Sequence, residues 1–464
     1  MSDEREKDYA HYSYWLETSD DDLTPRARLS GTVDADVAIL GAGFSGLWTA
    51  YYLQRSAPGL RITIVEAEIA GFGASGRNGG WCFSGFPVSL RELARRFGVD
   101  TARRVERAMR DTVDEIARVC SAEGISAQLV CGGALRLARG AHQLPTIRAA
   151  FDMARELSLE DGYELLDAAQ TADRIRVTDA LGALFVRHAA SVHPGRLVRG
   201  LARVVEKRGA TIYERSRVTR IESRPAALVT AGGTVRAKTV VLAGEAYMTR
   251  LAPLRRQLLP LYSHIVLTEP LSDAKWDEIG WRNRECVSSS VLSVDYLNRT
   301  ADGRVLFGSR GEPYHLGSRI DDRFDHPAHV RVELRRLLDE WFPTLARTAI
   351  THAWGGLVGM PRDWMPAVWL DRQTGIATAR GYTGQGVATS NLAGRVLSDL
   401  ITGDESPLLD LPFVGHLSPA WEPEPLRWLA VRYIQQAFAR LDRRAQRTGR
   451  APTGRTLAER LGRH

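Results

Sequence analysis

The chain has 464 residues, 44% of them hydrophobic and 25% charged, with a formal net charge of +7. That length exceeds what one hydrophobic core serves, so two packed domains are expected, with the composition of an ordinary soluble globular protein. No apolar run approaches the roughly 18 residues of a membrane helix, and the charged start Met1-Ser2-Asp3-Glu4-Arg5-Glu6-Lys7 lacks the apolar stretch of a secretory signal, so a cytoplasmic location is expected.

The four cysteines, Cys82, Cys120, Cys131 and Cys286, form no Cys-x-x-Cys pair, and no His or Cys cluster has metal-ligand spacing. Free thiols and no metal are expected. The positive charge is concentrated at one end: residues 421–464 hold ten arginines against Glu422, Glu424, Asp442 and Glu459. A nearly neutral body argues against a broad nucleic-acid surface.

In chain order, the first thirty residues carry an aromatic cluster, Tyr9, Tyr12, Tyr14 and Trp15, expected to wrap onto the core. An apolar strand over 36–40 runs into Gly41-Ala42-Gly43-Phe44-Ser45-Gly46, a helix follows, and a second strand ends on Glu66. Gly41 permits the tight turn, Gly43 lets a pyrophosphate approach the backbone, and Gly46 lets helix and strand pack closely. The helix N-terminus offers N–H groups and partial positive charge to phosphates. Glu66, followed by Ala67, is placed to accept hydrogen bonds from an adenosine ribose. Strand, turn, helix, strand and acid in that order specify a dinucleotide site.

Residues 71–80 are too glycine-rich for a regular element. Residues 89–124 predict helices, with Val105, Met109, Val113, Ile116 and Val119 at helical spacing. A helix at 194–208 leads to short strands through Val218, Leu228 and Val235 and an apolar strand ending at Ala243, capped by Gly244. Between 256 and 325 the pattern is antiparallel, with strands at 259–267 and 286–297 and a hairpin turning at Ala301-Asp302-Gly303. A helix at 327–341 precedes strands at 350–354, 367–370 and 376–379. Gly381-Tyr382-Thr383-Gly384-Gln385-Gly386 then opens a helix from Val387 to about residue 400. Leu426, Ala430, Tyr433, Ile434, Ala437, Phe438 and Leu441 form one apolar helical face in a basic tail, expected to pack on this chain or a subunit partner.

Together these motifs identify a resemblance to the FAD-dependent D-amino-acid-oxidase-like superfamily, which holds glycine oxidase, sarcosine oxidase and D-amino-acid dehydrogenase. The γ-glutamylputrescine oxidoreductase branch is the most similar. The likeness rests on residues 41–46 with Glu66, residues 73–80, Val192-His193-Pro194-Gly195-Arg196-Leu197, and residues 381–386. Residues 259–262 and 268–271 add to it at branch level. It covers about residues 30–405. It implies an α/β fold: a discontinuous Rossmann-like FAD-binding domain (30–88, 189–255 and 345–405) with an inserted antiparallel β-sheet plus helix substrate domain (89–188 and 256–344). Residues 406–464 form a basic amphipathic helical tail.

The sequence departs from the family at named places. Glu245 stands where relatives usually have asparagine, and Pro361-Arg362-Asp363-Trp364-Met365-Pro366 replaces the usual Thr-x-Asp-x-x-Pro. The sarcosine-oxidase branch tethers its flavin through a cysteine between Trp354 and Pro366. None occurs there, so noncovalent FAD is expected. The lysine that branch places near residues 304–308 is also missing, which puts efficient use of O₂ in doubt.

A single Gly-x-Gly-x-x-Gly suggests that the electron donor is the organic substrate and not a nicotinamide. The expected reaction is oxidation of an amine or amino acid at a C–N bond by hydride transfer to the flavin, with O₂ or another acceptor reoxidising it. FAD is expected to contact Gly41, Gly43, Phe44, Ser45, Gly46, Glu66 and Ala67. The second loop adds Gly73, Ala74, Ser75, Gly79, Gly80 and Trp81, with Arg77 and Asn78 as polar fingers. Val218, Ala243, Gly244, Trp354, Gly384, Gln385, Gly386 and Val387 complete the set, the last four at a helix N-terminus that stabilises negative charge on reduced flavin.

Tyr262, Tyr296, Tyr314 and Tyr382 are expected to face the flavin. Arg310 is the candidate for gripping a substrate carboxylate, His264 the candidate base, and Tyr296 and Tyr382 the remaining catalytic candidates. His193 and Cys82 are expected to be structural. A flavin-dependent tRNA-modifying enzyme and a non-catalytic FAD-binding partner subunit remain alternatives.

Overall fold

A computed structural model describes residues 7–309 and 314–462. Gly31–Leu40, buried at Val37, Ala38 and Ile39, is flanked by two parallel neighbours, Gly233–Leu242 and Ile62–Val65. Helices cover one face of these strands, burying Val37, Ile39, Ile64 and Val241, while Leu228 and its neighbours on a β-hairpin cover the other at Ala38, Val240 and Leu242, so both faces read as apolar. The sheet continues to Thr211–Tyr213 on one side and to Ile376–Arg380 and Ala367–Asp371 on the other, with Val218–Ser223 and Ala226–Thr230 branching from Gly233–Leu242. The helices Phe44–Ser56 and Gly386–Thr402 cross closely, since a Cβ on Gly394 would lie 2.7 Å from the Trp48 Cβ.

A second eight-stranded sheet has the order Ile350–Met360, Leu259–Thr268, Val305–Ser309, Asp295–Arg299, Cys286–Ser289, Ala134–Arg139, Ala180–Val186, Tyr163–Leu166. The helix Ala328–Trp341 covers one face, burying Val330, Leu334, Leu338 and Trp341 against Val266, Val305 and Phe307. The fold is α/β, with one parallel-centred and one mainly antiparallel sheet, as expected.

Two segments differ from the expected division. Ile350–Met360, placed by the sequence with the nucleotide-binding segments, pairs along its length with Leu259–Thr268 in the second sheet. The helices Leu90–Phe97 and Val99–Ala122, placed with the substrate segments, bury Leu93, Val105, Met109, Val113 and Ile116 in the core shared by Leu47, Trp48 and Leu392. Periodicity fixes what an element is and leaves open which sheet or core it joins.

Two residues of the N-terminal segment and Trp354 brace the second glycine loop from outside. Ser13 Oγ donates to Gly76 O at 2.6 Å, Trp15 Nε1 to Asn78 O at 2.7 Å and Trp354 Nε1 to Arg77 O at 2.9 Å. At the other end, the helix Leu426–Thr448 packs on this chain. Its buried face carries Arg427, Val431 and Ala445, while Leu426 and Tyr433, expected inside, are exposed. Ile434, Ala437, Phe438 and Leu441 of the expected face are half-buried, and Arg427 takes an inner position paired with Glu424 at 2.9 Å. Asp442 accepts from the N–H groups of Leu292 and Ser293 at 3.0 and 2.9 Å.

Trp15→Ala removes a fully buried side chain and one carbonyl partner. It is expected to cost about 3–5 kcal/mol, read as a fall in Tm; a loss below about 1 kcal/mol would contradict the bracing role.

Candidate active site

A cavity of about 1370 Å³ lies between the C-terminal ends of the first sheet's strands and one face of the second sheet. This is where open α/β sheets bind ligands. It exceeds the few hundred to about 1,000 Å³ of a single small-molecule pocket, so it has room for a dinucleotide and a second molecule.

One end is built from glycine loops. Gly41, Gly43, Phe44, Ser45, Glu66, Ala67, Gly73, Ala74, Ser75, Gly79, Trp81, Val218, Ala243, Gly244, Gly384, Gln385, Gly386 and Val387 all line it. Gly41 has φ +102°, and a Cβ there would lie 2.9 Å from Ala243 O. The two loops are latched together where Phe44 N–H donates to Ser75 Oγ at 2.8 Å, and a Cβ on Gly43 would come within 3.0 Å of that oxygen. Glu66 accepts from the N–H groups of Ala42 (2.8 Å) and Glu68 (3.0 Å), and burial pushes its pKa up to about 7.

Three expected contact residues lie off the cavity wall. Gly46 serves packing, since its Cβ would fall 2.0 Å from Gly41 O. Gly80 is covered by Asn298, whose Nδ2 donates to Gly80 O at 2.9 Å. Trp354 is buried behind the loop it braces. Arg77 and Asn78 line the wall but are not polar fingers. The Arg77 guanidinium donates to Phe72 O and pairs with Asp325, both at 2.8 Å, against the Phe72 ring. The Asn78 amide closes on Ala74 O and Ser75 O, and its oxygen accepts from Gly80 N–H.

The catalytic candidates separate. Tyr296 lines the cavity, its hydroxyl 2.9 Å from Ser263 Oγ and its ring against Gly79. Tyr382 also lines it, but its hydroxyl meets Ser45 Oγ at 2.8 Å in the cradle. His264 does not reach the cavity. Side chains alternate along Leu259–Thr268, so Ser263 faces the cavity and His264 turns away with Tyr262, its Nε2 2.7 Å from Phe324 O. Burial lowers the His264 pKa to about 4. Tyr314 is turned to the C-terminal helix, its hydroxyl donating to Glu424 at 2.6 Å. Arg310 lies outside the described residues. His193 caps the helix Pro194–Lys207, its Nδ1 accepting from Arg196 N–H, and Cys82 is buried with its thiol pKa pushed up by desolvation.

Glu245 lies at the cavity wall with φ +46°, a conformation asparagine tolerates better than glutamate. Its carboxylate accepts from the N–H groups of Gly381 and Tyr382 at 2.9 and 3.4 Å, which fixes the loop entering Gly386–Thr402. Desolvation raises its pKa to about 7 against those bonds. Sequence reasoning noted this residue only as a departure and passed over Arg136, Ser288, Asp295, Glu106 and Tyr163, which line the other end of the cavity. The available signal was a charge at an inward position of the apolar strand Ala134–Arg139.

The family described as FAD dependent oxidoreductase (DAO) matches residues 36–400. The chain belongs to this family. The DAO-family chain is 31% identical over 398 residues to γ-glutamylputrescine oxidoreductase of Escherichia coli, covering 85% of this chain and 90% of that protein. It is 24% identical to sarcosine oxidase subunit beta of Arthrobacter sp., over 82% and 92% of the two chains. Among solved structures, glycine oxidase of Geobacillus kaustophilus superposes with a TM-score of 0.66 at 20% identity, covering 83% of this chain and 100% of that one. This DAO-family member is therefore an FAD-dependent oxidoreductase, and a Cβ-free cradle with a buried acid at its ribose end suits FAD. No helix among the described residues is long and apolar enough to cross a membrane.

Because the folded protein holds Glu245 protonated to a higher pH than the unfolded chain does, this group favours folding fully below about pH 4.5 and loses that contribution as pH rises through about 7. Glu245→Gln should remove this dependence. The Tm of wild type minus that of the variant is expected to fall between pH 5 and 8, and a flat difference would contradict the buried-acid assignment.

Proposed function

We propose that the protein oxidises a C–N bond of an amine or amino acid, using noncovalently held FAD that is then reoxidised by O₂ or another acceptor. Bound FAD would supply the acceptor for one hydride, which carries both electrons of the oxidation. The substrate's α-carbon gives up the hydride and its nitrogen a proton; water adds to the resulting imine and yields a carbonyl and a released amine. The observation that carries this reading is one continuous cavity with a dinucleotide cradle at one end and a polar sheet face at the other. The names of its relatives, γ-glutamylputrescine oxidoreductase and sarcosine oxidase subunit beta, support it.

Under this reading Glu66 binds the adenosine ribose, and Gly41, Gly43 and the 73–79 loop take the pyrophosphate. Gly384 to Gly386, at the start of a buried 17-residue helix, hold the negative charge that develops on reduction. Trp81 and Tyr296 exclude water above the second loop. No cysteine or histidine of the described residues lines the cavity, which supports noncovalent attachment and leaves the substrate ammonium to lose its proton without a histidine base.

Two measurements test this. Anaerobic mixing with an amine should bleach the flavin, and the rate of recolouring in air separates an oxidase from a dehydrogenase; a colourless protein that takes up no FAD overturns the reading. For two amines of different pKa, log kcat/KM should rise with pH to a limit set by each amine's own pKa, near 10 for an alkylammonium. A limb at the same pH for both amines would point to a protein base instead. Acid precipitation is expected to leave all FAD in the supernatant.

A further inference from the structure

The second sheet turns one face to the cavity, and its register puts three side chains of that face in a row. Val287 pairs with Leu297 on one side and Leu135 on the other, so one residue along, Ser288 lies between Tyr296 and Arg136. All three line the cavity. With strands about 4.8 Å apart, the Arg136 backbone stands about 10 Å across the sheet from that of Tyr296. The Tyr296 ring leans the opposite way, over Gly308 and against Gly79 of the cofactor loop.

Arg136 has no hydrogen bond or ion pair to any described residue. The charge facing it, Asp295, is committed elsewhere, accepting from both N–H and Oγ of Ser289 at 2.6 Å. Glu106, at the same end, is held by the Tyr163 hydroxyl at 2.8 Å and by Arg110 at 3.2 Å. Leu184, the cross-strand neighbour of Arg136, lines the same wall with Ala134 and Val186. The Arg136 side chain is solvent-accessible where it lines the cavity, and desolvation by the surrounding walls lowers its pKa against the attraction of Asp295. With no hydrogen bond to a described residue, its guanidinium donors are free to meet a ligand in the cavity. Its planar fork matches a carboxylate in two parallel hydrogen bonds.

We infer that Arg136 binds the anionic end of the substrate, and that the substrate is an extended amine carrying a carboxylate remote from the carbon that is oxidised. This rests on the amine-oxidation reading above and narrows it, because in an α-amino acid the carboxylate lies one bond from the reacting carbon.

The test compares FAD-loaded wild type with Arg136→Gln and Arg136→Lys. Substrates are 5-aminopentanoate, n-pentylamine and glycine, and the non-oxidisable probe is glutarate, followed by calorimetric titration. Arg136→Gln should lower the kcat/KM ratio of 5-aminopentanoate to n-pentylamine about tenfold or more and weaken glutarate binding by a similar factor. Arg136→Lys should recover part of each, and FAD content and Tm report on folding. The inference is overturned if glutarate fails to bind wild type, if it binds Arg136→Gln equally well, or if glycine is preferred to 5-aminopentanoate. Arg136-dependent glutarate binding in a protein that oxidises none of these amines would instead sink the amine reading and leave the anion site standing.

Discussion

Two backbone loops can form one wall of a cavity only where their glycines leave room for the single side chain that joins them. Here the 41–46 turn and the 71–80 loop meet through the Phe44 N–H and the Ser75 hydroxyl, and a Cβ on Gly41 or Gly43 would press on Ala243 or Ser75. Carbonyls of the second loop are satisfied from behind by Ser13, Trp15, Trp354 and the Asn78 amide. Its cavity-facing surface is thereby left for a ligand. Loops so rich in glycine lose much entropy on ordering, and the indole and hydroxyl clamps offset that loss.

This arrangement explains why two residues that look like ligand contacts serve the scaffold. Arg77 lies beside the cofactor loop in sequence, but its charge goes to Asp325 across the gap between sheets. It thus ties the loop to the segment preceding Ala328–Trp341. Glu245 works similarly on the far side, holding Gly381 and Tyr382 so that the helix behind them starts at the cavity edge.

Much of this was legible in the sequence. The strand–turn–helix–strand unit ending on Glu66, the helix opened by residues 381–386 and the hairpin around Ala301-Asp302-Gly303 each carry a local signal, in glycine spacing or in alternation. What stayed hidden is non-local. Whether His264 or Ser263 faces the cavity depends on which face of Leu259–Thr268 the helix Ala328–Trp341 covers, a fact held elsewhere in the chain. The register that aligns Arg136 with Ser288 and Tyr296 depends on a parallel pairing between segments some 150 residues apart. The inner position of Arg427 on Leu426–Thr448, paired with Glu424, is likewise something hydrophobic periodicity does not register.

The row across the second sheet has a further implication for how enzymes on this scaffold diverge. Strand spacing is set by backbone hydrogen bonding and cannot be adjusted gradually. Moving the basic group from one strand to the next would shift the recognised terminus by a whole strand width. Changes in substrate length should therefore arise in discrete steps, each requiring a charge to appear on one strand and vanish from its neighbour, while the cofactor cradle stays untouched.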